Sequence, residues 1–209
     1  REGFKVWACS CSKTGYLCTF QVYDGRPVDA KTGKKYTDKG LVKRVVHHLL
    51  TPFRGYNHVA YMDNFYTSGS LANELAEHKI YTVGTIKVNA EGFPKEFASV
   101  KPPKGEYRAT QVGDLVYCVF NDRKVVRFIT NAFPTKMVKS VARMQPGGNF
   151  ELQKVPPLLP AYNKFMGGVD LTNQLRSTYG FNKKSKRSWI RLFYSFFDVS
   201  ISNAYILIT

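Results

Sequence analysis

Two aspartates stand where carboxylates could hold divalent cations. Asp63 directly follows the apolar run His58-Val-Ala-Tyr-Met62, which predicts a buried, parallel strand. Asp170 follows Gly167-Gly168 in a segment with helical periodicity, and Asn173 is its neighbour on one helix face. Carboxylates on a strand end and a facing helix can converge at a sheet edge, where two bound cations catalyse phosphodiester cleavage. The alternative for Asp63 is an Asx turn at the strand end.

The glycine pair predicts an unusual local geometry. Glycine inside a helix lowers its stability, so Gly167-Gly168 indicates either a close approach of another segment or a bend. Pro156, Pro157 and Pro160 predict an extended approach to this segment. The helix itself is predicted from Tyr162 to Tyr179.

Composition favours a folded protein with a polyanionic partner. The chain has 209 residues, is 44% hydrophobic, and contains 31 Lys and Arg against 15 Asp and Glu, a formal charge of +16. Such an excess favours nucleic acid, and an anionic membrane surface is the weaker alternative. No run approaches the eighteen apolar residues that would predict a membrane-spanning helix. A start at Arg1 rather than Met indicates a piece of a longer protein.

Four cysteines, Cys9, Cys11, Cys18 and Cys118, lie in strand-like sequence. The first three could hold zinc, but no nearby CxxC pair or histidine completes a usual zinc spacing. Buried, reduced thiols are therefore predicted, as is typical of an intracellular protein.

The hydrophobic pattern along the chain predicts an α/β protein. Strands are predicted at 4–10, 16–23, 58–62 and 80–87, and helices at 40–50 and 71–78. Short strands at 107–112, 115–120 and 125–130 predict a small antiparallel sheet, which we interpret as a β-rich insertion. A long helix is predicted from Ser188, with an apolar face formed by Trp189, Leu192, Phe193, Phe196, Phe197 and Ile201.

Several ordered blocks resemble piggyBac-type DDE transposases. They are Tyr61-Met-Asp-Asn-Phe-Tyr-Thr-Ser68, Val83-Gly-Thr85, Tyr162-Asn-Lys-Phe-Met-Gly-Gly-Val-Asp170, the segment from Leu41 to Gly55, and the segment from Ser188 to Tyr205. The resemblance implies an RNase H-like catalytic core at 1–88 and 158–181, interrupted by a β-rich insertion domain at 89–157. Residues 182–209 would form a basic linker and a C-terminal helix of the neighbouring DNA-binding region. Members of this family cut and paste DNA at TTAA sites with divalent metal.

The resemblance also assigns the catalytic positions, and two of them have lost their acid. The second and third ligands match Asp63 and Asp170, whereas Cys11 stands at the first acidic position and Asn173 at a further one. Sulfur is a poor ligand for Mg²⁺, and an amide supplies no charge. We therefore predict a catalytically inactive remnant, with no tightly bound cofactor and weak or vestigial Mg²⁺ binding at Asp63 and Asp170.

The predicted function is that of a domesticated, transposase-derived nuclear protein that keeps DNA or chromatin association. Phosphate contacts are predicted from six basic residues, Arg176, Lys183, Lys184, Lys186, Arg187 and Arg191; a linker or nuclear-import signal is the alternative for 183–187. Predicted partners are DNA and other nuclear proteins bound through flanking domains, with a homodimer as an open possibility and no membrane. Two alternatives remain: an active metal-dependent transposase using Asp24 or Asp198 as a substitute acid, and a protein-interaction scaffold without DNA binding.

Overall fold

The computed structural model describes residues 4–23, 25, 40–134, 139–144, 150–180 and 185–208. The chain divides into two compact units, one formed by 1–52 with 167–209 and the other by 53–166. The strands are β1 (Val6–Ser10), β2 (Leu17–Val22), β3 (His58–Met62), β4 (Ile80–Thr85), β5 (Tyr107–Val112), β6 (Leu115–Asn121), β7 (Val125–Thr130), β8 (Lys139–Met144) and β9 (Phe150–Val155). The helices are α1 (Leu41–Leu50), α2 (Gly69–Glu77), α3 (Leu158–Phe165), α4 (Gly168–Tyr179) and α5 (Ser188–Ile208).

The first unit packs three helices with a two-stranded hairpin. β1 and β2, which correspond to the first two predicted strands, pair antiparallel around a tight turn. α1 buries Val45, Val46, Leu49 and Leu50, and the predicted helix at 40–50 is confirmed. The Thr19 hydroxyl on β2 donates a 2.8 Å hydrogen bond to the Leu49 carbonyl at the end of α1. This bond joins the hairpin to the helix.

The segment around the glycine pair differs from the prediction of one helix. Two helices, α3 and α4, meet at Met166 and Gly167, and α3 already begins at Leu158. The prediction of an extended approach was wrong for Pro157, which has helical backbone angles (φ −60°, ψ −28°), and for Pro160, which lies in the first turn of α3. Proline is tolerated there because the first amide groups of a helix have no intrahelical acceptor.

The long helix α5 forms as predicted, but its predicted buried face was only partly right. Four residues of the predicted apolar face, Trp189, Phe193, Phe197 and Ile201, are exposed, whereas Val199 and Ser202 are buried. Phe196 stacks on Phe20 of β2, with ring centroids 4.1 Å apart. The helix is hydrophobic over more than one face, so periodicity alone could not select the side that packs.

The second unit is built on a mixed five-stranded sheet in the order β3-β4-β7-β6-β5. β3 and β4 are parallel, the other pairs are antiparallel, and α2 connects β3 to β4. The Ser68 hydroxyl caps α2 by accepting from the Leu71 amide. Its buried core has two clusters. One comprises Val83, Cys118, Phe120, Phe128, Val155, Leu158, Leu159 and Tyr162, and the other Ala72, Ile86, Phe93, Leu115, Tyr117 and Ile129.

β3 is parallel, as predicted, but the prediction that it is buried was wrong. It lies at the edge of the sheet, with His58 and Val59 exposed and the following three residues half-buried. An apolar run predicts a strand that is covered on both faces inside the sheet. β3 is an edge strand and pairs with one neighbouring strand only, β4. The predicted antiparallel strands β5, β6 and β7 continue the same sheet as β3 and β4, and the insertion boundaries at 89 and 157 stay a prediction.

None of the helices in the described ranges combines the length and the apolar content needed to cross a bilayer.

Candidate functional site

In the second unit, Asp63 forms the turn that follows β3. Its Oδ1 accepts a 2.8 Å hydrogen bond from the Phe65 amide. Its carbonyl oxygen accepts a 2.7 Å bond from the Thr67 hydroxyl. Asp63 is thus the strand-end Asx turn that the sequence allowed, and its side chain stays exposed. A turn of this kind leaves one carboxylate oxygen without a bond to the turn, so it does not exclude a metal ligand.

Gly84 on β4 makes room for this turn. A Cβ at position 84 would lie 2.7 Å from Thr67 Oγ1 and 2.8 Å from the Met62 carbonyl oxygen. Thr67 is itself buried at 4% relative exposure. The turn that carries Asp63 therefore sits directly on the glycine of the neighbouring strand.

Two tyrosines form the electrostatic surroundings of Asp63. Burial raises the pKa of Tyr66, and the nearby Asp63 carboxylate raises it further. Burial also raises the pKa of Tyr162. The hydrogen bond with the Thr85 side chain lowers this pKa, and the Asp63 carboxylate raises it. The Tyr162 and Thr85 hydroxyls lie 3.4 Å apart. Both phenols therefore stay protonated beside the carboxylate, a feature that sequence reasoning missed.

In the first unit, Cys11 directly follows β1 and begins a tight turn. Its amide donates to the Tyr16 carbonyl at 2.8 Å, and its carbonyl accepts from the Gly15 amide at 2.9 Å. Gly15 adopts φ +74°, the left-handed region that glycine enters without strain.

The turn favours a negative charge at position 11. Burial acts to raise the pKa of the Cys11 thiol. Hydrogen bonds from the Thr14 side chain and from the Lys13 and Thr14 amides lower it, as does the Lys13 charge. The lowering effects outweigh burial, so the pKa of Cys11 is lowered. By contrast, burial and the neighbouring Cys18 raise the pKa of Cys9 to about 11. These donors could equally serve a carboxylate, which is the group that the resemblance expects at this position.

The start of α4 packs against this turn. A Cβ at Gly168 would lie 3.2 Å from the Cys11 carbonyl oxygen and 3.1 Å from Ser12 Cα. The Thr172 hydroxyl donates to the Gly15 carbonyl at 2.7 Å and lies 2.8 Å from the Ser10 hydroxyl. The predicted close approach at the glycine pair is therefore confirmed at Gly168. It brings Cys11 beside the first turns of α4.

Asp170 and Asn173 lie on these first turns of α4, and both are exposed. Structure thus brings Cys11, Asp170 and Asn173 to one region of the first unit. Asp63 belongs to the second unit, and its meeting with Asp170 stays a prediction. Within the described residues, no group of three or more His, Cys, Asp and Glu side chains is arranged to hold a metal ion.

Comparison with known proteins assigns the family. A family model described as Transposase IS4 matches residues 1–205. The chain belongs to this family of piggyBac-type DDE transposases. The resemblance read from the sequence blocks is thereby confirmed.

Two human members of the piggyBac group are similar over nearly the whole chain. PiggyBac transposable element-derived protein 3 is 26% identical over 98% of this chain and 35% of its own length. PiggyBac transposable element-derived protein 5 is 23% identical over 99% of this chain and 40% of its own length. The chain therefore spans well under half the length of these relatives.

A solved piggyBac structure has the same fold. It is the cryo-EM structure of a piggyBac transposase synaptic complex with hairpin DNA, which matches with a TM-score of 0.76 at 23% identity. The match covers 98% of this chain and 40% of that one. The predicted mixed α/β, RNase H-like fold of the piggyBac transposases, with a C-terminal helix, is therefore confirmed.

The basic residues predicted to contact DNA differ from one another in burial and in hydrogen bonding in this piggyBac-type chain. Arg176 donates a 2.6 Å hydrogen bond to the Ser195 hydroxyl and so joins α4 to α5. Lys186 and Arg187 are exposed just before α5, where Arg191 is half-buried. Lys183 and Lys184 lie outside the described residues.

Sequence reasoning gave no role to two polar residues that hold the first unit together. Thr172 is buried at 6% relative exposure and bonds α4 to the β1–β2 turn. Asn203 on α5 accepts from the Leu17 amide at 2.9 Å and donates to its carbonyl at 3.0 Å. The available signal was a polar residue on the inner side of a helix, which is costly unless it is hydrogen-bonded.

Proposed function

We propose that this chain is the core of a domesticated piggyBac-type transposase that no longer cleaves DNA and still associates with DNA in chromatin, in the nucleus. The observation that carries the proposal is the residue at position 11, where the family has an acid and this chain has a cysteine. Cysteine occupies a turn whose donors favour an anion, and Asn173 faces solvent on the adjoining helix without a charge.

Loss of two acids weakens the metal site in two ways. Two carboxylates carry too little negative charge to balance two divalent cations. Each lost ligand also removes one contact that would orient the attacking water. Cysteine does not replace the missing carboxylate, because its soft sulfur suits zinc or copper better than magnesium.

The rival function, an active transposase with a substitute acid, receives less support. Asp198 belongs to α5 and lies beside Gly180 at the C-terminal end of α4, where its Oδ2 would be 2.9 Å from a Cβ on Gly180. Asp170 lies in the first turn of α4, so about ten residues, or about 15 Å of helix, separate it from Gly180 and hence from Asp198. Asp24, the other substitute acid, falls outside the described residues.

Restoring the two acids is expected to restore metal binding. The unaltered chain should bind Mg²⁺ or Mn²⁺ no tighter than millimolar in calorimetric titration. The double variant Cys11→Asp with Asn173→Asp should bind Mn²⁺ at least about tenfold more tightly, the equivalent of about 1.4 kcal/mol.

The matched control adds the same charge on α4 away from these positions, as Gln174→Asp with Ser177→Asp, both exposed. Two tight sites in the unaltered chain, or its metal-dependent cleavage of a TTAA duplex, would overturn the proposal of inactivity.

DNA association is supported by charge and by the exposed basic residues before α5. The formal charge of +16 favours a polyanion, and Lys186 and Arg187 are exposed. The structural relative is a transposase in complex with hairpin DNA. Phosphate contacts do not need the catalytic acids, so they can outlive catalysis.

Neutralising the basic run should weaken binding to duplex DNA. Replacing Lys183, Lys184, Lys186 and Arg187 by alanine is expected to lower the affinity and to reduce the salt slope of log K by up to about 3.6, since each phosphate contact contributes about 0.9. Fluorescence anisotropy with a labelled duplex between 50 and 200 mM salt measures both quantities.

A control variant removes four exposed basic side chains from the second unit, Arg54, Lys95, Lys101 and Lys104. If both variants keep the affinity and slope of the unaltered chain, the run is a linker or an import signal. Absence of duplex binding by the unaltered chain even at 50 mM salt would favour the scaffold alternative.

A further inference from the structure

The hairpin of the first unit carries three of the four cysteines. Cys9 lies on β1, Cys11 directly follows that strand, and Cys18 lies on β2. All three are half-buried free thiols, whereas Cys118 of the second unit is a buried one. The prediction of buried thiols was therefore wrong for the hairpin.

The strand register places the three hairpin thiols on one face. Ser10 and Leu17 are directly opposite each other, and a β-bulge separates this pair from the next pair of the ladder. Cys9, Cys11 and Cys18 are each the chain neighbour of one member of the pair. Because successive side chains of a strand point to opposite faces, the three thiols share the face opposite to Ser10 and Leu17.

Cys11 and Cys18 meet at one carbonyl oxygen. The Cys11 amide donates to the Tyr16 carbonyl at 2.8 Å. The Cys18 thiol donates to the same oxygen at 3.4 Å. The Cys18 sulfur therefore lies beside the backbone of Cys11, where the Cys11 side chain can reach it by rotation about its Cα–Cβ bond.

The surroundings of the two thiols favour different roles in an oxidation. Burial acts to raise the pKa of Cys11, but the donors of the turn outweigh it and the pKa is lowered. Burial raises the pKa of Cys18, the Cys11 charge raises it further, and a hydrogen bond from the Cys11 amide lowers it, with a net rise. Thiolates react with peroxides faster than thiols do, so Cys11 is the thiol that reacts first and Cys18 its protonated neighbour.

We propose that this hairpin is an oxidation site at which hydrogen peroxide links Cys11 to Cys18 in an intrachain disulfide. The Cys11 sulfur attacks one peroxide oxygen, the O–O bond breaks, and the other oxygen leaves as hydroxide, which takes up a proton to become water. The Cys18 sulfur then attacks the sulfenic sulfur of Cys11, the S–O bond breaks, and the hydroxyl leaves as water with the Cys18 proton. The two sulfurs lose two electrons in all, and one peroxide is reduced to two water molecules.

The disulfide removes the ionisable group from position 11. Oxidation thus changes the charge of the turn against which Gly168 and the start of α4 pack. Intracellular disulfides of this kind are usually transient, because cellular thiols reduce them again. The proposal does not depend on DNA association.

Peptide mass spectrometry tests the pairing, because trypsin cleaves after Lys13, between the two cysteines. The 209-residue chain is treated with hydrogen peroxide, alkylated with iodoacetamide and digested without reductant. We expect peptides 6–13 and 14–31 as a linked pair that lacks two hydrogen atoms and is separated by dithiothreitol. Cys118, whose pKa burial raises to about 12, should stay reduced and serves as an internal control.

Three single variants identify the partners. Cys18→Ser should abolish the linked pair and leave a sulfenic acid at Cys11 that dimedone traps. Cys11→Ser should abolish both the linked pair and the dimedone adduct. Cys9→Ser is the matched control, because it removes a neighbouring thiol from the same face, and it should keep the linked pair. Circular dichroism verifies that the variants are folded.

Each outcome decides the proposal. A linked pair that is kept in Cys9→Ser and lost in Cys18→Ser and in Cys11→Ser supports it. Loss of the linked pair in Cys9→Ser, or its persistence in Cys11→Ser, would assign the bond to Cys9 and overturn the proposal. A disulfide inside peptide 6–13, a dimer on a non-reducing gel, or hairpin thiols that all stay reduced while free cysteine is oxidised would equally overturn it.

Discussion

Gly84→Ala should destabilise the protein by about 3 kcal/mol and displace the turn that carries Asp63. The added Cβ would lie 2.8 Å from the Met62 carbonyl and 2.7 Å from Thr67 Oγ1, both shorter than ordinary van der Waals contact. Met62 belongs to the ladder with β4, and the Thr67 hydroxyl is bonded to the Asp63 carbonyl, so neither atom can retreat cheaply. Overpacking of this kind costs typically about 1–3 kcal/mol. Urea unfolding with an unchanged m value measures the loss.

A double-mutant cycle tests the assigned cause. Thr67→Ala removes one of the two clashing atoms, so Gly84→Ala should cost about 1 kcal/mol less in the Thr67→Ala background than alone. Additive effects of the two substitutions would show that the Thr67 contact is not responsible. A loss below about 0.5 kcal/mol for Gly84→Ala itself would contradict the packing described for this turn.

Gly168→Val should have a comparable effect on the first unit, about 3 kcal/mol. The Cβ would lie 3.1 to 3.2 Å from backbone atoms of Ser10, Cys11 and Ser12, and the two methyl groups of valine need still more room. Relief requires α4 to move away from β1, which would break the 2.7 Å bond from Thr172 to Gly15. Chemical denaturation reports the loss of stability.

Gly167→Val is the matched control because a Cβ at Gly167 would have no atom within 4 Å. The residue precedes α4 at φ −87°, which valine can adopt, so the expected cost is at most about 1 kcal/mol. Equal losses at the two glycines would mean that helix propensity, rather than the close approach, explains the requirement at position 168.

The two glycines have the same role in different units. Gly84 admits the turn of Asp63 onto the sheet, and Gly168 admits the helix of Asp170 onto the turn of Cys11. Gly84 therefore supports the turn of Asp63 in the second unit, and Gly168 supports the region of Cys11 and Asp170 in the first, although neither can bind a ligand through a side chain.

The sequence by itself determined the elements that depend on local chemistry. The β1–β2 hairpin, α1, the Ser68-capped α2 and the strands β5 to β7 all follow from turn residues, capping residues and periodicity, which act within a few positions. The family also followed from short ordered blocks, confirmed over residues 1–205. Asp63 and Asp170 could be named as candidates because each stands beside an element boundary visible in the sequence.

Only the tertiary structure decided which surfaces are buried and which side chains meet. β3 is partly exposed because it forms a sheet edge, and α5 packs through Phe196, Val199 and Ser202 because β2 and α4 lie on that side. The bonds of Thr172 and Asn203 join residues more than 150 positions apart. A groove lined by Asn64, residues 85–89 and residues 124–127 likewise combines three segments of the second unit. Such contacts depend on long-range packing, and no local pattern of residue types encodes a neighbour that distant in the chain.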